Sequence, residues 1–323
     1  MHVENALIVG AGPIGIATAL SARRAGVDPL LVDAGAIVDA IRRYPVGMRF
    51  FSGPELLEIG RHPFVCAGEK PTREEAMKYY RGVVRTEGLR VRTYARLHSL
   101  EGSAGQFRAT LRTSEGDETI VARCVVLATG YFDQPRRLDV PGEDLPHVSH
   151  YFDEPHSYYQ RDVVVVGGGN SAVEAALELM RAGANVTLVH RREHVKPTVK
   201  YWMRPDVENR VKAGEIAAHF DSTVTRIDEQ AVHVETPAGA VAVPAHRVFL
   251  LTGWQPDFDF FRRLGIRLAD ETLEPALDPD TYETNVRGLF MVGSITRGRA
   301  VSQIFIENGR FDGDRVFPAP TRA

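Results

Sequence analysis

The chain carries one supersecondary unit twice. Displaced by 157 positions, Gly10 falls on Gly167, Gly12 on Gly169, Gly15 on Ala172 and Gly26 on Gly183. In each copy a β-branched run, "ALIVG" or "DVVVVG", leads through a glycine turn into an alanine-rich segment of helical spacing that ends at Gly26 or Gly183. A second apolar strand follows, "PLLVD" in the first copy and "VTLVH" in the second. That is a βαβ unit in each half, with the long apolar runs of buried parallel strands. The pattern specifies an α/β protein with two Rossmann-like dinucleotide-binding domains.

The glycine spacing has a mechanical reason. The first glycine makes the tight turn, the second lets backbone approach a diphosphate, and the third position packs helix on strand, where alanine also suffices. Helix N–H groups are then left facing the phosphates. A single such loop is a weak signal, because glycine turns after strands are common in structural junctions. Two in register are a stronger one. The copies differ at the tip of the second strand, where the first has Asp33 and the second has His190, Arg191 and Arg192. A carboxylate accepts from ribose hydroxyls and repels a 2′-phosphate, whereas guanidinium groups grip that phosphate. Copy one therefore suits FAD or NAD, copy two suits NADPH, and electrons are expected to pass between two cofactors.

Length and composition agree with two domains. The chain has 323 residues, 44% of them hydrophobic, and a formal net charge of −3, which gives no basic patch for a nucleic-acid partner. Cys66 and Cys124 are the two cysteines, with no CxxC and no zinc-like spacing, as expected in a reducing compartment. Residues Met1 to Glu4 run directly into the first strand without a secretory leader, and no apolar run approaches ~18 residues. The expectation is a soluble, cytoplasmic protein with no membrane partner. A second echo, "CVVLATGYFDQP" (Cys124 to Pro135) against "RVFLLTGWQPD" (Arg247 to Asp257), marks two crossings between domains. They place an FAD-binding domain at residues 1–134 and 257–323, with an NADPH-binding domain at 135–256 inserted in it. In the C-terminal part "ETNVRGLFMVGS" reads as a turn and buried strand, and "AVSQIFIENGRF" from Ala300 as a helix stopped at Gly309. Such a helix either supports a reduced flavin with its positive end or simply packs.

The motifs "VGAGPIG", "LATGY", "VVGGGNSAVEAALEL", "HRR" and "TNVRGLFMVGS", in this order, resemble the thioredoxin reductase group of two-domain flavoproteins over nearly the whole chain. "MRFFSGPELLEIG", "KPTREEAMKYYR", "VPGEDLPHVSHYF" and "FIENGRF" resemble the bacillithiol disulfide reductase subgroup more specifically. The resemblance implies bound FAD, NADPH as hydride donor and a homo-oligomer. It puts FAD on Gly10, Gly12, Pro13, Ile14, Gly15, Asp33, Thr129, Gly130, Gly293 and Ser294. It puts NADPH on Gly167, Gly169, Asn170, Ser171, Ala172, His190, Arg191 and Arg192. Three departures matter. No CxxC precedes the second glycine turn, so a dithiol relay through the protein is excluded. Ile14 occupies the position where the subgroup typically has a cysteine in its first glycine loop. Ser294 stands where the wider group has an aspartate for the flavin ribityl chain, a bond a hydroxyl can also make.

No Ser-His-Asp set, no metal cluster and no catalytic side chain emerges, and none is needed where a flavin carries the redox chemistry. The segment His147 to Tyr159 reads as a substrate mouth or a packed linker. Cys124 reads as a buried inert thiol, and Cys66 as a loop thiol. The run His194 to Arg210 reads as a solvated face or as a site for an acidic partner. The expected function is an NADPH-dependent FAD oxidoreductase that passes electrons to an external acceptor, a ferredoxin or flavodoxin, or a small disulfide or quinone. A flavin monooxygenase and a non-enzymatic NADPH/flavin sensor are the alternatives.

Overall fold

The computed structural model describes residues 2–319. They form two compact units, one of residues 2–42, 47–134 and 255–319, the other of residues 43–46 and 135–254.

In the first unit, β1 (Leu7–Val9), helix α1 (Pro13–Arg24) and β2 (Leu30–Val32) form the βαβ unit read from the sequence. The chain returns later as β3 (Val125–Leu127) on the other side of β1. In the second unit, β4 (Asp162–Val166), α2 (Asn170–Arg181) and β5 (Asn185–Val189) repeat the arrangement, with β6 (Arg247–Leu250) on the far side of β4. The first unit is completed by β7 (Leu289–Met291), which pairs with β3. The first parallel sheet has the order β7, β3, β1, β2 and Arg90–Arg92; the second runs Val148–Ser149, β6, β4, β5 and Ala217–His219. The strand order reverses between β1 and β3 and between β4 and β6. Those are the crevices where ligands enter open parallel sheets.

The valine run of β4 shows why a continuous apolar stretch becomes a central strand. Val163 and Val165 pack with Ala172, Ala175, Ala176 and Leu179 of α2. Val164 and Val166 face the other way, against Val224, Val232, Val234 and Val243 of the antiparallel sheet formed by Thr223–Ile227, Ala231–Thr236 and Gly239–Pro244. Alternate side chains thus serve two cores, each fully buried valine being worth about 1.5–3 kcal/mol. In the first unit Leu7, Val9, Val125, Leu127 and Leu289 share a core with Phe258 and Phe261.

One segment falls outside the sequence expectation of where the first unit's chain would lie. Arg43–Val46 groups with the second unit, where the Arg43 guanidinium donates to the Tyr151 hydroxyl at 2.7 Å and the Val46 N–H to the Asp153 carbonyl at 2.8 Å. The expected C-terminal helix is also broken. Val301–Gln303 is a 3₁₀ turn, Ile304 is extended, and only Ile306–Gly309 is α-helical, with the Asn308 amide oxygen accepting the Phe305 N–H. A one-turn helix has almost no macrodipole, so the idea of a positive helix end supporting the flavin is set aside.

The third glycine-loop position is demanding in one copy and lenient in the other. A methyl group on Gly15 would lie 1.9 Å from the Gly10 carbonyl oxygen, while Ala172 already carries its methyl, fully buried. Gly15→Ala should therefore destabilise by at least about 2 kcal/mol, lowering the melting midpoint by roughly 4–8 °C. Ala172→Gly should cost only about 1–2 kcal/mol. Thermal unfolding of both variants checks the contrast.

Candidate functional site

The first glycine turn begins where β1 ends. The Gly10 N–H donates to the Val32 carbonyl at 2.7 Å, its φ is +113°, and an added methyl would lie 2.3 Å from the Ala128 carbonyl oxygen. Only glycine closes this contact across the crevice. Gly12 then caps α1 with extended backbone, Pro13 opens the helix, and no side chain caps its N–H groups. Those donors face outward for an anion. At the tip of β2 the Asp33 carboxylate accepts the N–H of Ala11 through Oδ2 and of Gly35 through Oδ1, both at 2.7 Å. Burial pushes its carboxyl up from the usual range despite those two donors, with Asp39 and Asp133 adding to the rise. Asp33 thus ties the glycine turn to the strand tip and keeps further lone pairs for a ribose hydroxyl.

Across the crevice Thr129 and Gly130 follow β3, Gly130 with φ +65°. Gly293, with φ +79°, and buried Ser294 follow β7. Ile14 packs between Gly293 and Gly309. Its Cδ1 would lie 2.9 Å from a methyl on Gly293 and 2.6 Å from one on Gly309. Gly10, Ile14, Gly15, Thr129, Gly293 and Ser294 are therefore brought to one end of one sheet. Sequence reading missed Asp312, a buried carboxyl whose Oδ2 accepts the Gly293 N–H at 2.7 Å. It lies 19 residues beyond Gly293, and no motif spacing marks it.

The second turn repeats the first. The Gly167 N–H donates to the Val189 carbonyl at 3.0 Å, and a methyl there would lie 2.5 Å from the Leu251 carbonyl oxygen. Gly169 caps α2 with no side-chain cap, and Ser171 is exposed in the first turn. The Asn170 side-chain oxygen accepts the Lys200 N–H at 2.9 Å, which docks the following loop on the helix start. The three residues of the strand tip separate. Arg191 and Arg192 are exposed, but His190 is 5% exposed with its ring against Gly168, where an added methyl would lie 2.4 Å from Nε2. Burial, then the charges of Lys196, Arg191 and Arg192, lowers the pKa of His190 and keeps its ring neutral. The ring thus packs beneath the turn. Lys196, in the run read as a solvated face or as a site for an acidic partner, is exposed. Its N–H donates to the Gly168 carbonyl at 2.8 Å, so the loop folds back over the turn. Partial desolvation, followed by the charges of Arg136, Arg191 and Arg192, holds its ammonium below the usual lysine range. These three guanidiniums and one ammonium make a field that fits a phosphorylated ligand.

The remaining candidates fall elsewhere. In the segment His147 to Tyr159, Val148–Ser149 is a strand on β6, Tyr151 packs on Trp254 at 4.6 Å, and Phe152 and Tyr158 meet Phe249 edge-on at 5.3 and 5.5 Å. Glu143 is buried and accepts the N–H groups of Leu138 and Asp139, with the His150 Nε2 3.4 Å away. These side chains are used within the second unit, as a packed linker. Burial pushes the Cys124 thiol up to about 11. The Cys66 thiol donates to the Gly68 carbonyl, and the two cysteines are not bonded. Among the described residues no group of three or more His, Cys, Asp or Glu could hold a metal ion, and no helix is long and apolar enough to cross a membrane.

The unmet helix N–H donors, the strand-tip carboxylate and the cationic strand tip together fit one dinucleotide per unit. A model of the pyridine nucleotide-disulphide oxidoreductase family matches residues 7–293. The chain is 38% identical over 317 residues to the bacilliredoxin reductase Bdr of Bacillus subtilis, covering 98% of this chain and 97% of that one. It is 30% identical to a ferredoxin-NADP reductase of Ignicoccus hospitalis, covering 91% and 90%. The solved bacillithiol disulfide reductase Bdr from Bacillus cereus superposes with a TM-score of 0.94 at 40% identity over 98% of each chain. If the cationic tip reads the 2′-phosphate, Arg191→Ala combined with Arg192→Ala should weaken NADPH binding by about 30-fold or more and NADH by less than about threefold. Titration with both nucleotides checks it; equal losses would remove the phosphate clamp.

Proposed function

The chain belongs to the pyridine nucleotide-disulphide oxidoreductase family, and from that premise we infer that it passes electrons from NADPH through FAD directly to an external acceptor, with no protein dithiol between. That it is an NAD(P)H-dependent flavoprotein oxidoreductase using FAD and NADPH follows from the family and from its reductase relatives. The finer reading assigns FAD to the first unit, on Gly10, Gly12, Pro13, Ile14, Gly15, Asp33, Thr129, Gly130, Gly293 and Ser294. It assigns NADPH to the second, on Gly167, Gly169, Asn170, Ser171, Ala172, Arg191 and Arg192, with His190 beneath the turn. When bound, the two cofactors supply hydride transfer from nicotinamide to flavin and onward reduction of the acceptor.

The chain's own residues bind and orient. Backbone N–H groups at the starts of α1 and α2 neutralise diphosphates, Asp33 fixes the ribose end in the first unit, and Arg191 and Arg192 select the phosphorylated nucleotide in the second. The observation that carries direct transfer is the packing of Ile14 between Gly293 and Gly309. A hydrocarbon side chain fills the position where the resembled subgroup carries sulfur, and it can neither attack a disulfide nor hold a mixed one. The two cysteines add no relay, since Cys124 is held protonated by burial and Cys66 bonds a nearby carbonyl. The acceptor is accordingly a ferredoxin-like or flavodoxin-like protein, or a low-molecular-weight disulfide reduced at the flavin itself. The relatives named above act, by their names, on a ferredoxin and on bacillithiol disulfide or a bacilliredoxin. The same reading makes the protein a cytoplasmic homo-oligomer.

Anaerobic mixing with NADPH should bleach the flavin absorption within seconds. Reduction of each acceptor class under steady NADPH should then proceed unchanged, within about twofold, in a Cys66→Ser, Cys124→Ala double variant. A loss of tenfold or more at normal flavin content would show that a thiol carries the electrons, and the direct route would be abandoned.

A further inference from the structure

Asp312 is a buried charge that neither the fold nor the proposed reaction has used. It is 7% exposed, and its carboxylate accepts the Gly293 N–H. Its neighbours bring it against the first glycine turn. Gly293 packs on Ile14, and Gly313 approaches α1 so closely that a methyl on it would lie 2.5 Å from the Thr18 Cα. Asp312 thus lies between a glycine that packs on Ile14, in the first turn of α1, and one that packs on Thr18, in the second.

The charged groups around it come from four elements. Arg297 lies on the turn that starts at Gly293, and Arg315 and Asp314 on the Gly313–Val316 helix. Arg24 of α1 is paired with Asp314 at 2.6 Å, and Asp314 also accepts the Ser21 hydroxyl at 2.7 Å. Arg315 sits 5.0 Å over the Tyr282 ring and donates to the Pro279 carbonyl. Glu307 of the Ile306–Gly309 helix accepts the Ser52 hydroxyl. Arg297 and Arg315 favour the charged form of Asp312, as does the Gly293 donor, yet burial outweighs them and pushes the carboxyl up to about 6.

We propose that Asp312 is a proton-linked positioning residue for the flavin: FAD binding draws one proton from solvent onto its carboxylate, and the neutral side chain keeps Gly293 and Ser294 in place beside the glycine turn. The proposal rests on the assignment of FAD to the first unit. The diphosphate of FAD stays fully ionised across the neutral range. Bringing that charge to the start of α1 adds repulsion to a carboxylate already short of solvent, so the bound complex retains the proton to higher pH than the free protein does. The sign follows. Below about pH 6 the group is protonated in both states and affinity is level; above it each FAD bound must take up a proton, and affinity falls as pH rises.

Release of FAD from the full-length holoprotein, followed by recovery of free-flavin fluorescence, tests this between pH 5.5 and 8.5. The dissociation constant of the native chain should rise by about tenfold per pH unit above pH 6 until the bound-state carboxyl itself ionises, roughly ten- to a hundred-fold in all. Asp312→Asn keeps an acceptor for the Gly293 N–H without the charge, and its curve should be flat within about twofold. Calorimetry of native protein binding FAD at pH 7.5, in two buffers of different ionisation enthalpy, reads the proton directly; the expectation is between about 0.2 and about 0.7 proton per FAD. A flat native curve, an unchanged slope in Asp312→Asn, or no proton uptake overturns the proposal and leaves the FAD assignment standing. A chain that holds no FAD at any pH overturns that assignment and the proposal with it.

Discussion

Each unit depends on one backbone approach, that of Gly10 to the Ala128 carbonyl and of Gly167 to the Leu251 carbonyl. Both lie where the strand order reverses, and both allow the strand to end abruptly and a helix to start with its N–H groups unspent. The crevice, the anion site and the helix packing all follow from that contact, because a side chain at either glycine would push the neighbouring strand away. The rest of each unit supports it. Asp33 ties the first turn to the tip of β2, and the loop after β5 returns to the second through Lys196 and Lys200.

The sequence made the two βαβ units legible because their periodicity and glycine spacing are local. The central strands are apolar on both faces, and the valines of β4 divide between two cores as alternation requires. What was not legible depends on long-range packing. The helical spacing after Ala300 gave no sign that Asn308 would cap Phe305 and split the segment. His190 reads as one of three basic residues, and only the approach of Gly168 shows it buried and neutral. Asp312 reaches Gly293 across 19 residues of chain, a separation that no local motif marks.

The first unit carries an electrostatic cost. Half-buried Asp33 and buried Asp312 both have raised pKa through loss of solvent. For Asp312 a rise from 3.8 to about 6 means that the folded chain binds the proton more tightly than the unfolded one. Its contribution to stability is present below pH 3.8 and lost as pH climbs to 6, on the order of 3 kcal/mol by neutrality. Crowded donors and acceptors of this kind are a common mark of places built for a ligand rather than for stability.

The short segment Arg43–Val46 has a bearing on how the protein can be divided. Because it is held among residues of the second unit through Arg43 and Tyr151, and through Val46 and Asp153, the polypeptide passes between the units four times rather than twice. Excision at Gln134 and Gln255 would sever the second unit from a segment hydrogen-bonded within it, leaving Tyr151 without the Arg43 guanidinium. The two copies of the repeat are no longer separable cassettes: a tetrapeptide from one serves as a rivet in the other.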